Sequence, residues 1–239
     1  MNEWQAAGSH HIAQIKRGAQ LNILVAGAGG HAKVIIDAIR LQGTLNIIAL
    51  FDPSVSDQDY AHGYPVLRSQ EGLADAMTSE PIEGCVVGIG DNTTRKRVHA
   101  EMRDAYPDLV FPAVIHPAAT IAESAVTGHG VFVAAGAVIA PGCRIEEGSL
   151  VNTGAVVDHD SVLHAFSSIA PGAVLGGCCQ VGKAAHVGLG ANLIHGITIG
   201  HSTVVGAGAT VIRDVGPELI VVGTPAGKLR ERNPDEPYL

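Results

Sequence analysis

From Ile115 to Val211, every sixth residue of the chain is Ile, Val or Leu, with Thr127 the one departure. Four residues after each anchor the side chain is usually small, as at Ala119, Ala137, Cys143, Ala155, Ala173, Cys179, Ala185 and Ala191. Glycine recurs at the intervening corners, among them Gly136, Gly142, Gly154, Gly172 and Gly188. A strand that must turn sharply every six residues needs one large aliphatic and one small residue facing inward. It also needs Gly, Asn or Asp where the backbone bends. No single repeat can bury its own apolar face, so the repeats must stack into one column. The spacing therefore predicts a parallel β-helix over the second half of the chain.

Composition agrees with a core of this kind. Hydrophobic residues make up 46% of the 239 residues, aromatics only 4%, and 30 residues are glycine. The formal charge of −8 argues against nucleic acid as a partner. Gly, His or charges interrupt every apolar run before the roughly 18 residues a membrane span requires. No basic segment leads into an apolar stretch and cleavage site, so a cytoplasmic location is expected. Cys85, Cys143, Cys178 and Cys179 show no metal-type spacing and read as reduced thiols.

The first half reads differently. Residues 1–20 carry no periodicity and are expected to be a poorly ordered extension. Leu21 to Ala26 reads as a buried strand, and the turn Gly27-Ala28-Gly29-Gly30-His31-Ala32 leads into a helix through Leu41. A second strand, Asn46 to Phe51, ends at Asp52-Pro53. A third, Cys85 to Ile89, opens through Gly90-Asp91-Asn92 into a helix from Thr93 to Tyr106. Alternating strands and helices predict a small Rossmann-like parallel sheet over residues 21–112. The helical prism then covers 113–215 and a tail 216–239. Gly27, Gly29 and Ala32, with Asp52 further on, match the dinucleotide fingerprint. Close packing of strand on helix explains the same glycines. Backbone N–H groups at the helix start favour a phosphate-bearing ligand, a nucleotide-sugar as readily as NAD.

The hexad pattern resembles the hexapeptide-repeat acyltransferases. Gly27 to Val34, Phe51-Asp52 and Gly88 to Asn92 narrow the resemblance to the sialic acid O-acetyltransferases and UDP-4-amino-sugar N-acetyltransferases. It implies a left-handed helix with three faces, assembled as a homotrimer with active sites between subunits. It also implies acetyl-CoA as co-substrate, no metal, and a UDP-amino sugar as acceptor. By resemblance, His31, Asp52 and Asn92 line the nucleotide side, and Arg95 meets phosphate. Lys228 and Arg230 would flank the CoA adenine and phosphates.

Acetyl transfer needs a base for the acceptor proton and donors for the oxyanion. His159 lies two residues after anchor Val157, on an outward corner with Asp158 and Asp160 on either side. In the group the corresponding His, followed by a carboxylate, is the general base. Asp160 is then expected to orient it, with Asp158 as the substitute. Asn152 matches a sugar-contacting Asn. Gly177, one coil beyond His159, matches the oxyanion donor, and CoA contact is expected there too. The group often has a second His nine residues after the base; Ser168 stands there, with His164 closer by. No cysteine stands out as an acyl carrier, so direct transfer is expected.

Three alternatives use the same residues. A gamma-carbonic-anhydrase-like zinc lyase would use His159 and His164, but its third ligand position holds Glu123. An NAD-dependent oxidoreductase would use the Gly27 turn. A scaffold trimer would need no catalytic residue.

Overall fold

In the computed structural model of the chain, residues 20–55, 59–234 and 236–237 are described. The first half is a five-stranded sheet flanked by helices. Strand β1 (Leu21–Ala26) lies between β2 (Leu45–Phe51) and β5 (Gly84–Val87), parallel to both. Strands β3 (Tyr60–Ala61) and β4 (Tyr64–Leu67) form a hairpin that extends the sheet in the order β3-β4-β2-β1-β5. Helix α1 (Gly30–Gln42) follows β1, α2 (Gln70–Ser79) follows β4, and α3 (Asn92–Ala105) follows β5. The hairpin and α2 lie between the second and third predicted strands, where no element was expected. Ser69 caps α2 by accepting the Gly72 N–H at 3.1 Å, and Asp91 caps α3 by accepting the Thr94 N–H at 2.8 Å.

The second half is the left-handed parallel β-helix expected from the resemblance. Two-residue strands run from β6 (Val114–Ile115) to β22 (Thr210–Val211), each six residues after the last. Each pairs in parallel with the strand 18 residues on, as Val156↔Val174 and Val157↔Leu175. Three faces result. Face 1 contains Val138 and Val156, face 2 contains Arg144 and Val162, and face 3 contains Phe132, Leu150 and Ser168. The second residue of each strand points inward. Ile139, Ile145, Val151, Val157, Leu163, Ile169 and Leu175 are all nearly inaccessible. Each such side chain is worth about 1.5–3 kcal/mol of transfer energy. Thr127 lies in an end coil, where Ile115 and Ile121 are also only partly buried, so a polar anchor there costs little.

The corners also follow the six-residue step. Gly130, Gly136, Gly142, Gly148, Gly154, Gly172, Gly190, Gly196 and Gly208 all have positive φ. Asp160, Phe166, Cys178, Ala184 and Ser202 occupy the same register with φ between 55° and 60°. A side chain in that region costs about 1–3 kcal/mol. Two of these five, Asp160 and Cys178, stand on the corner between faces 1 and 2.

The two halves pack into one another. Helix α1 presents Ile35, Ile36 and Ile39 to Val114, Phe132 and Leu150, the outward residues of face 3. Below it, α3 inserts Arg95, which is 1% exposed. Strand β23 (Leu219–Val222) extends face 3, and β24 (Gly227–Glu231) returns antiparallel along its end.

Candidate active site

The corner between faces 1 and 2 carries His159. Its backbone N–H donates to Asp158 Oδ1 at 2.8 Å, and its Nδ1 lies 2.9 Å from Asp160 Oδ2. Asp160 adopts left-handed φ, which turns its carboxylate back beside the ring. The Asp160 carboxylate lies over Gly142, one coil down, and the Nε2 edge of His159 lies over Gly177, one coil up; a Cβ at either glycine would collide. The hydrogen bond that His159 donates to Asp160 holds the imidazole pKa above its ordinary 6.5, and the charges of Asp158 and Asp160 add to this against some desolvation. The side chain remains half exposed, at 49%. An imidazole with Nδ1 fixed by a carboxylate and Nε2 open can accept a proton and stabilise the resulting charge. Among the described residues, the Gly177 N–H donates to no acceptor, while its carbonyl accepts the Gly196 N–H at 2.9 Å.

Two further residues belong to this corner. Cys178, an exposed thiol, has Sγ close enough that the donor atoms of His159, Asp160 and Cys178 lie within 4.8 Å of one another. The sequence singles out no cysteine as an acyl carrier, and the structure brings this thiol to the corner of the dyad. His195, two coils beyond His159, brings its ring centroid to 6.0 Å from that of His159. Both were within reach of sequence reasoning: 18 residues after Asp160 is Cys178, and 36 after His159 is His195. His164 sits on the next corner, where its Nδ1 lies 3.3 Å from Glu146 Oε2.

The residues expected to bind nucleotide and cofactor lie elsewhere in the chain. Arg95 is enclosed at the junction of the two halves. It donates to the carbonyls of Gly148 (2.8 Å), Gly90 (2.8 Å) and Phe166 (3.0 Å) and to Asn92 Oδ1 (2.6 Å). Asn92, fully buried, donates to the Ala185 carbonyl at 2.9 Å. Both side chains are thus engaged in holding α3 onto the prism, where the resemblance implied surface contacts with ligand. The helical turn put them on the same face, and a buried guanidinium this well supplied with acceptors is a clamp. Asn152 sits on the corner between faces 3 and 1 and donates to the Ile169 carbonyl at 3.1 Å. Lys228 and Arg230 lie on β24, pairing with Glu231 and Glu236 respectively.

His31 and Asp52 flank the turn after β1. Asp52 accepts the Ala28 N–H at 2.9 Å and both the N–H and hydroxyl of Ser54. Gly27 has φ 115°, and a Cβ there would press on the Gly88 carbonyl, so tight strand packing accounts for this glycine. Gly29 and Gly30 face open space at the N-terminus of α1, with no side-chain cap. There the free N–H groups and helix dipole suit an anion. His31 packs edge-on against Phe132 at 5.7 Å; burial, then the Arg95 charge, lowers its pKa to about 4, so its ring is neutral.

In one chain, then, the N-terminal half covers face 3 while His159 stands on the edge opposite, between faces 1 and 2. The turn carrying His31 and Asp52 and the His159–Asp160 pair thus lie on opposite sides of the prism. Among the described residues no helix is long and apolar enough to cross a membrane.

Comparison with known proteins gives a uniform picture. The family model described as "PglD N-terminal domain" matches residues 22–102. UDP-N-acetylbacillosamine N-acetyltransferase of Bacillus subtilis (strain 168) is 32% identical over 118 residues, 48% of this chain and 51% of that protein. The match thus spans about half the length of that curated relative. The acetyltransferase domain of PglB from Neisseria gonorrhoeae FA1090 superposes with TM-score 0.80 at 34% identity, covering 87% of this chain and 99% of that domain. The same domain is also solved with acetyl coenzyme A. PerB from Caulobacter crescentus, solved with CoA and GDP-perosamine, gives TM-score 0.80 at 35% identity, over 87% and 96% of the two chains.

Proposed function

The chain belongs to the hexapeptide-repeat acetyltransferases, in the group of the nucleotide-amino-sugar N-acetyltransferases, and from that premise we propose that it moves an acetyl group from acetyl-CoA to an amino sugar linked to a nucleoside diphosphate. A UDP-linked 4-amino-4,6-dideoxy sugar is the proposed acceptor. The observation that carries this reading is the His159–Asp160 pair, with the open Nε2 edge of the ring lying over the Gly177 amide.

In the proposed reaction His159 Nε2 takes the proton of the sugar amine as nitrogen attacks the thioester carbon. The C–N bond forms while the carbonyl π pair moves onto oxygen, which the Gly177 N–H holds. Collapse of that oxyanion breaks the C–S bond, and the CoA sulfur leaves with the proton carried by His159. Asp160 keeps the ring oriented and offsets its transient charge. Transfer is direct, without an acyl-enzyme on Cys178.

We place the complete site between copies of the chain in a homotrimer. Support comes from the separation just described: the open turn at Gly29–Gly30 and the dyad lie on opposite sides of one prism, so a second copy must bring them together. Faces 1 and 2 also carry outward valines that the described residues leave exposed, including Val126 and Val174, each 39% exposed. The cysteines are all free thiols, which suits the cytoplasm, where we place the protein.

A screen with acetyl-CoA against UDP- and GDP-linked amino sugars and free sialic acid tests the proposal, reading CoA release and product mass. Acetylation of a nucleotide-linked amine is the expected result. Exclusive modification of sialic acid hydroxyls would replace this reading with O-acetyl transfer.

A further inference from the structure

We propose that His195 is a second donor to the oxyanion, forming with the Gly177 amide the pocket that receives the thioester oxygen. This rests on the acetyl-CoA reading above and adds a catalytic residue to it.

The geometry comes from the coil register. His159, Gly177 and His195 occupy one corner in three successive coils, tied by Cys178 N–H to His159 O at 2.8 Å and Gly196 N–H to Gly177 O at 2.9 Å. Backbones two coils apart are separated by about 9.6 Å, twice the strand spacing of about 4.8 Å. The imidazole centroids nevertheless come to 6.0 Å at an interplanar angle of 45°. The two rings therefore lean toward each other across the missing side chain of Gly177, where any Cβ would strike His159. The notch is this corner: the unengaged Gly177 amide, with one imidazole in the coil below and another in the coil above.

An oxygen seated over the Gly177 amide can accept from it and from a ring N–H of His195 at ordinary distances of about 2.7–3.0 Å to nitrogen. Imidazole carries at least one N–H in either protonation state, so His195 can donate as negative charge develops. When the amine attacks, the π pair moves to this oxygen and is met by Gly177 N–H and His195 N–H. When C–S cleaves, the pair returns, and both donors are released unchanged.

The test uses CoA and S-carboxymethyl-CoA, whose carboxylate presents charged oxygen near the notch. Binding is measured by titration calorimetry on the full chain, wild type and His195→Phe, His195→Gln and His195→Ala. Phenylalanine keeps a ring and removes the donor; glutamine keeps a donor. The wild type should prefer the carboxymethyl analogue by about tenfold or more, as for a hydrogen bond to a charged group. His195→Phe and His195→Ala should lose that preference with CoA affinity unchanged, and His195→Gln should recover part of it. In acetyl transfer, His195→Phe should lower kcat about 10²-fold with the KM for sugar unaltered. A wild type without preference, or a His195→Phe that keeps both preference and kcat, overturns the role of His195 alone. Failure of the wild type to bind CoA at all overturns the acetyl-CoA reading, and the role of His195 with it, and this shows before any variant is compared.

Discussion

The corner at His159 and the junction around Arg95 are built from the same kinds of side chain, yet they stand in opposite settings. At the corner, His159 is half exposed, its one carboxylate partner raises its pKa, and its second nitrogen is left open. At the junction, Arg95 and Asn92 are fully enclosed by backbone carbonyls. The neighbouring histidines His31 and His186 are driven neutral by burial, each to a pKa of about 4. A polar group left partly unsatisfied at a surface can exchange a proton with substrate; one satisfied in the interior fixes two halves together. The comparison separates activity from stability, and each prediction below tests that separation.

The largest expected effect is on turnover. His159→Ala should lower kcat about 10²–10⁴-fold while leaving the thermal midpoint within about a degree or two, because the half-exposed side chain lies outside the core. Steady-state kinetics and calorimetry on the same sample would check both. A variant that unfolds early would break the contrast at its active end.

Arg95→Ala should do the reverse. It leaves the carbonyls of Gly90, Gly148 and Phe166 without their donor inside the junction, at a cost of about 3–5 kcal/mol by analogy with breaking a buried charged network. Denaturant titration measures this. Little loss of stability would mean that α3 is held by its apolar contacts alone.

Acid provides a gentler probe of the same junction. His31 and His186 titrate near 4 when folded and near 6.5 when unfolded. The unfolded chain therefore binds more protons between those values, so stability is full above about pH 6.5 and falls as pH drops toward 4. Each shift corresponds to on the order of 3 kcal/mol at most. Melting temperatures at stepped pH should fall through that window, and His186→Gln should flatten the slope.

The smallest effect is a null one. Cys178 shares its corner register with Gly142, two coils down, and Gly196, one coil up, all with positive φ. Cys178→Gly relieves a left-handed side chain and removes the thiol nearest the dyad. Direct transfer predicts turnover within about threefold of wild type. Covalent acylation would instead predict near-complete loss and a mass increase of one acetyl group on the wild-type enzyme.

The contrast also explains what could be read from the sequence. The prism was legible because each anchor is set by its own six-residue step, and the dyad because His159 and Asp160 are adjacent. Cys178 and His195 are equally accessible to the coil register, one coil beyond Asp160 and two beyond His159. Arg95 was not legible. Helix α3 is dominated by polar residues, and what buries Arg95 is Gly148 and Phe166, more than fifty residues away in the chain. Tertiary contact at that range leaves no local pattern. The hairpin β3–β4 and α2 were missed for a simpler reason: their strands are two and four residues long, and α2 buries only Leu73.

The central claim is that His159, held by Asp160, accepts the substrate proton. The pH dependence of kcat/KM between about pH 5 and 8 tests it most directly. Because only the neutral imidazole accepts a proton, and because Asp160 raises its pKa, activity should climb with pH through a single group titrating above 6.5. Asp160→Asn should move that limb to lower pH. A flat profile across the range, or a limb that stays in place in Asp160→Asn, would contradict the account.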